Sequence, residues 1–211
     1  MKKYVIAAAL ILVASSSFAV IKGSKHDMSG TGLSSSYGNT SVNQICIYCH
    51  APHNAKNSQL LWNRNNTTST FTSYDKTVSG SLNYTTAAAL HDTSKTCLGC
   101  HDGTIAIDEY GSVTGTSTRK ITGTKKLGTD LRLSHPIGIS YSEAAATDTG
   151  LTAYDASGQI GATTTKLQLF GTNKDQIECA TCHDVHNKAN QTSLLNMTNS
   201  ASALCLNCHL K

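Results

Sequence analysis

All eight cysteines of the chain fall in four copies of one unit. They read Cys46-Ile-Tyr-Cys49-His50, Cys97-Leu-Gly-Cys100-His101, Cys179-Ala-Thr-Cys182-His183 and Cys205-Leu-Asn-Cys208-His209, and no cysteine is left over. C-x-x-C-H is the attachment signature of c-type haem. The chemistry requires this spacing: two thiols on one helical turn reach the two vinyl groups of one porphyrin, and the adjacent histidine aims its imidazole at the iron. A thioredoxin-like redox pair needs no histidine. A disulfide framework does not place His after every second Cys. Zinc takes tetrahedral Cys/His sets, which does not account for four identical C-x-x-C-H units behind an export signal. The expectation is four covalently attached c-type haems.

Export is read at the N-terminus. Lys2 and Lys3 precede the apolar run "YVIAAALILVA", and "SSSFA" follows with small residues at Ser17 and Ala19. This is the pattern of a secretory signal over residues 1–19; the rival is an uncleaved N-terminal anchor. No later stretch is apolar enough to cross a bilayer, so the mature chain is expected to carry no membrane span. The net charge of +4 falls to +2 without Lys2 and Lys3, too weak a balance to argue for nucleic acid or an anionic membrane.

Charged residues make up 14% of the chain, against about 25% in ordinary domains. Ser, Thr, Asn and Gly fill the gap, and aromatics are scarce. A chain this poor in core-forming side chains is either partly disordered or takes its apolar mass from something else. Four haems supply that mass. The fold class expected is therefore a multihaem cytochrome c. Irregular coil, with short helices at the C-x-x-C-H units and a few short strands, wraps a core of four stacked haems.

Nine histidines are present. His50, His101, His183 and His209 are the proximal iron ligands of their own units. His53 and His186 each follow a proximal histidine by three residues, one helical turn on, and so stay on the same side of that haem. If they bind iron, they bind the iron of a different haem and hold two haems together. His135 lies in "LRLSHPIGIS", where Leu131, Leu133, His135, Ile137 and Ile139 alternate on one face of an extended segment. Pro136 favours the extended form, and a ligand role is expected for His135 against a haem core. His26, in "GSKHDMSGTG", is either a free tail residue or a ligand on a flexible arm. His91 reads as a surface or supporting residue, and Met28 and Met197 as packing residues.

Five segments follow: the signal 1–19, an N-terminal arm 20–45 carrying His26, a first haem pair 46–101, a cysteine-free wrapping segment 102–178 carrying His135, and a second haem pair 179–211. Within 102–178, "TIAID" and "KLQLF" read as short strands. The linker between the last two units reads as a turn and one short helix.

The runs "CIYCHAPHNA", "LLWNR", "CLGCHDGTIAID", "HPIG", "CATCHDVHN" and "CLNCH" resemble, in order, the doubled C-x-x-C-H family of multihaem cytochromes c. "KHDMS" resembles the short His-containing segment before the first haem of its tetrahaem members. The layout is similar to that of the tetrahaem subunits of extracellular cytochrome filaments. The resemblance implies bis-histidine, low-spin haems in a continuous chain. It carries the sixth-ligand role onto His26, His53, His135 and His186, and leaves His91 unassigned. It also implies a homopolymer in which one haem takes a ligand from the neighbouring subunit, for which His26 is the candidate.

The function expected is electron transfer along the haem chain, without enzymatic activity. The protein would be secreted to the cell surface or exterior and would exchange electrons with redox proteins or extracellular acceptors. The alternatives are a monomeric periplasmic shuttle and a multihaem reductase with one open iron. Five histidines for four sixth positions weigh against the reductase.

Overall fold

The computed structural model describes residues 20–32, 34–38, 41–56, 59–82, 84, 90–115, 118–161 and 165–210. The signal expected over 1–19 lies outside the described residues. No helix among the described residues is long and apolar enough to cross a membrane.

The four C-x-x-C-H units shape the local structure. The first forms a 3-10 turn, Cys46–Tyr48. The second lies in the helix α1, Asp92–His101. A second helix, α2, spans Tyr141–Thr147. The third unit forms the single turn α3, Cys179–Cys182, and the fourth begins in α4, Ala203–Leu206. Further 3-10 turns, Gln59–Leu61, Gly123–Lys125, Thr192–Leu194 and Ser200–Ser202, and four two-residue strands complete the set of described elements: β1 Ile139–Ser140, β2 Gln159–Ile160, β3 Leu167–Gln168 and β4 Gln176–Ile177. They pair antiparallel as β1 with β4 and β2 with β3. The rest is irregular, as expected.

"KLQLF" contains β3, whereas "TIAID" is not a strand. Ala106 and Ile107 are buried in a turn, where their carbonyls accept hydrogen bonds from Arg64. The alternating face proposed for 131–139 also breaks. Ser134 N–H closes a turn onto the Leu131 carbonyl (3.2 Å), leaving Leu131 buried and Leu133 97% exposed. Local turn closure overrides the apolar period here.

Apolar burial is split among three small clusters. One holds Tyr84, Ile139, Tyr141, Ile160, Leu167, Leu169 and Ile177. The second holds Met28, Tyr48, Ile107, Tyr110 and Ile121, and the third Leu90, Leu98 and Leu131. Met28 is a packing residue, as expected, and Met197 packs against the first cluster.

Polar side chains join the units to these clusters. The buried Tyr141 donates from its hydroxyl to the carbonyls of Thr152 (2.8 Å) and Cys208 (3.3 Å). The buried Asn207 donates to the Thr165 carbonyl (3.2 Å). Gly161 has φ +121°, and a Cβ there would collide with the Asn207 side chain, so only glycine fits.

Leu98 lies between the two cysteines of the second unit and is fully buried in the third cluster. Leu98→Ala is expected to cost about 2–5 kcal/mol by lost burial and a residual cavity, read as a lower denaturation midpoint of the haem-loaded protein.

Candidate haem-binding site

The proximal histidines are positioned by backbone geometry. In the first, third and fourth units, the histidine N–H donates to the carbonyl of the first cysteine, at 2.8 Å for His50, 3.0 Å for His183 and 3.0 Å for His209. This turn brings the two sulfurs and the imidazole of a unit to one side. His101 is held in the same relation by α1.

Side-chain hydrogen bonds then fix the rings. Nδ1 lies 2.7 Å from the Leu60 carbonyl in His50, 2.9 Å from that of Lys125 in His101, and 3.0 Å from that of Ser193 in His183. His135 Nδ1 lies 3.0 Å from the Pro136 carbonyl. A carbonyl only accepts, so in each case Nδ1 carries the proton and Nε2 keeps its lone pair for a metal. Such bonds orient metal-binding imidazoles generally. His186 Nδ1 faces the Asp184 carboxylate at 3.4 Å, the same arrangement with a charged acceptor.

His91 is built the opposite way. It caps α1, its Nδ1 accepting from the Thr93 N–H at 3.3 Å. An accepting Nδ1 leaves the proton of the neutral ring on Nε2, so neither nitrogen is free to bind iron.

Three proximal rings face a second imidazole. Ring centroids are 6.2 Å apart for His50 and His186, 6.1 Å for His101 and His26, and 6.4 Å for His209 and His135. A metal–imidazole nitrogen bond is about 2.0–2.1 Å and the ring centre lies about 1 Å beyond it, so two imidazoles on opposite sides of one metal have centres about 6 Å apart. All three pairs match that span. His53 is exposed.

His26 is packed into its own subunit, not carried on a free arm. Asp27, Met28 and Ser29 beside it are buried, with Asp27 Oδ1 accepting from the Ser29 hydroxyl at 2.6 Å. The His26 Nδ1 is buried and has no hydrogen-bond partner among the described residues. Burial, then the nearby His101 and His183, hold its pKa down at about 4. The ring is therefore neutral, the state that can bind a metal.

A structural repeat links the first and third units. Residues 46–63 and 179–196 share Cys-x-x-Cys-His-x-x-His-Asn, then Leu61 and Leu194, then Asn63 and Asn196. His50 bridges to Trp62, and His183 to Leu195, as isolated antiparallel bridges. Asn63 Nδ2 donates to the Ile47 carbonyl (2.7 Å) and Asn196 Nδ2 to that of Ala180 (2.9 Å). Leu60 and Leu61 have φ of 60° and 52°, and Ser193 and Leu194 of 59° and 56°. Left-handed conformations are costly for such residues. Here they aim the Leu60 and Ser193 carbonyls at the two proximal rings.

Successive units lie close together: Cys49 and Cys100 both pack against the second apolar cluster, and α1 packs against α3. Buried Glu178 secures the middle junction: its Oε1 accepts from the His91 N–H (3.1 Å), while the Cys179 N–H donates to Ser94 Oγ (2.9 Å). The N-termini of α1 and α3 are thereby tied together. Burial pushes the Glu178 carboxyl pKa up.

The residues present fit haem. Each unit offers two thiols and an imidazole, and three units also have an opposing imidazole. Among the described residues, no three His, Cys, Asp or Glu side chains gather as a metal cluster. Large apolar side chains left exposed by the polypeptide lie beside the proximal histidines in sequence or by hydrogen bond: Leu60 and Leu61 near His50, Leu127 bonded to the His101 carbonyl, and Leu206 and Leu210 flanking His209. A porphyrin face is the kind of surface that such side chains cover.

A family profile described as Doubled CXXCH motif matches residues 172–211, the stretch holding the third and fourth units. No curated protein matches the chain. The family match supports covalent attachment of c-type haem and electron transfer as the class of function.

Proposed function

We propose that this chain, which carries the C-x-x-C-H units of a c-type, haem-binding electron-transfer protein, conducts electrons along four haems, each ligated by histidine on both faces. The observation that carries this reading is the set of three facing imidazole pairs, at 6.1, 6.2 and 6.4 Å. Bound haem supplies an iron that alternates between ferric and ferrous forms.

The residues take the following roles. Cys46 and Cys49, Cys97 and Cys100, Cys179 and Cys182, and Cys205 and Cys208 anchor one haem each. His50 and His186 would hold the first iron, His101 and His26 the second, and His209 and His135 the fourth. The repeat of 46–63 in 179–196 supports the third assignment: His50 of one copy faces His186 of the other, which makes His53 the reciprocal candidate for His183. The carbonyls on Nδ1 keep the rings oriented while the iron changes charge. With an imidazole on both faces, each iron would be closed to substrate and water, which supports electron transfer without enzymatic activity. The packing of the first unit beside the second, and of the second against the third, supports stepwise transfer in chain order.

Two assembly states fit this conduit. The resemblance in layout supports a repeating subunit of a secreted, extracellular filament. The seat of His26 beside His101 supports a monomeric periplasmic shuttle in which His26 serves its own subunit. Negative-stain microscopy of the native holoprotein separates the two, fibres meaning a filament and isolated particles a shuttle. Electron paramagnetic resonance on dispersed monomers then tests His26: four low-spin haems are expected, and one high-spin haem in four would mean a ligand donated across subunits. A high-spin signal in the intact native protein that responds to nitrite would overturn the electron-transfer reading in favour of a reductase.

A further inference from the structure

Four carboxyls are buried among the described residues: Asp27, Asp102, Asp108 and Glu178. Three of them have donors or a cation. Asp27 accepts from the Gly23 N–H (2.8 Å) and the Ser29 hydroxyl (2.6 Å), Asp102 accepts from Thr67, Ser69 and Thr104, and Asp108 faces Arg119 at 3.7 Å. Glu178 is different. It is 1% exposed, and its Oε2 is buried with no hydrogen-bond partner among the described residues. A charged oxygen left dry and unpaired is costly, whereas a protonated carboxyl carries no charge to solvate.

This carboxyl stands between two haem-binding units. Glu178 directly precedes Cys179 of the third unit, and its Oε1 accepts from the His91 N–H (3.1 Å) at the start of α1, the helix that carries Cys97 and Cys100. The groups around it oppose the cost of charging it without removing that cost. From α1, the His91 N–H and the Ser94 hydroxyl favour the ionised form by hydrogen bonding. The His91 ring is the neutral cap of that helix. Lys95 adds a weaker pull from a partly exposed position, 3.6 Å from Asp92. On its own turn Thr181 accepts from the Glu178 N–H (3.0 Å), and β3, which packs on α3, holds only Leu167 and Gln168. The thiols of Cys97 and Cys179 become thioethers once haem is attached.

We propose that Glu178 is a proton-binding site of the electron pathway, taking up a proton when the haems of the second and third units are reduced and releasing it when they pass electrons on. This inference rests on the four-haem reading. Each reduction adds one electron to an iron and lowers the charge of the junction by one, which favours the neutral acid over the carboxylate. The balance is one electron from the redox donor and one proton from water: ferric iron and carboxylate become ferrous iron and carboxylic acid. No bond to iron changes. Reduction at the junction therefore becomes easier as pH falls, and each electron that crosses it carries a proton on and off the protein.

Redox-difference infrared spectra of haem-loaded wild type, E178Q and E178D provide the test, each protein first checked for four low-spin haems. Reduction of the wild type should bring up a carboxylic acid C=O band that shifts in D2O and is missing from E178Q. Spectroelectrochemical titration across pH gives a second readout. Glutamine stays neutral and keeps an acceptor for the His91 N–H, so E178Q should match the wild type in acid. As pH rises and the wild-type carboxyl ionises, E178Q should become about tenfold easier to reduce, a gap of about 59 mV for one electron. Haem carboxylates titrate in both proteins and cancel in the comparison. Should E178Q lose a haem, E178D decides: its carboxyl is one methylene shorter, so the band should move. No such band, a band shared with E178Q, a band unmoved in E178D, or a gap that ignores pH overturns the proposal. Fewer than four low-spin haems in the wild type would instead remove the reading beneath it.

Discussion

His186→Ala is expected to open the iron bound at Cys46 and Cys49 and leave the haem of its own unit, at Cys179 and Cys182, six-coordinate. His186 lies three residues after His183, yet its ring faces His50 at 6.2 Å, with planes only 12° apart. Loss of the ring removes one of two strong-field ligands from the first iron alone. One haem in four should turn high-spin and bind cyanide, and added imidazole should return it to low spin. The comparison that checks the assignment is H186A combined with C46S/C49S, which should show no high-spin haem. A high-spin haem surviving in that combination would place His186 on another iron and undo the exchange between units. His53→Ala should produce the same signature at the haem of Cys179 and Cys182.

Removing both sulfurs of the third unit should do more damage than removing either. In C179S/C182S no thioether can form, and the haem count should fall from four to three, measured by intact mass and by the pyridine haemochrome absorbance. Single C179S keeps one anchor and should retain four. The double variant should also become sensitive to protease. The turn that carries Cys179 is tied to α1 of the second unit through Ser94 and Glu178. Three small apolar clusters are little to hold the chain together without the cofactor. Four haems in the double variant would mean that these cysteines are not the anchor.

Much of this site is legible in the sequence because covalent chemistry fixes spacing. Two thiols and an imidazole must meet one porphyrin, so all four units stand out without any packing argument. That His53 and His186 would have to serve a haem other than their own unit's was also open to view, since a residue one turn along cannot pass around its own haem; the pairing of His186 with His50 was not. The carbonyls that orient the rings were hidden. They come from Leu60, Lys125 and Ser193, far enough along the chain that no local pattern marks them. The one available signal was "LLWN" answered by "SLLN" at equal distance from the two C-x-x-C-H-x-x-H units. Periodicity was the weaker guide. "TIAID" alternates like a strand, but its carbonyls serve Arg64 instead of a sheet. The segment before the first unit reads as an arm because its apolar residues are scattered without a period; Asp27 organises its start through hydrogen bonds, which hydrophobic pattern does not register.

The proposed pairing of His50 with His186 would also constrain the order of maturation. The two residues lie more than half the chain apart, so closing the loop between them carries an entropy cost and slows any folding route that needs it early. On that assignment, a haem held at Cys46 and Cys49 would wait for the third unit to supply its second imidazole, and a chain cut short before residue 186 would hold it with one face open to oxygen.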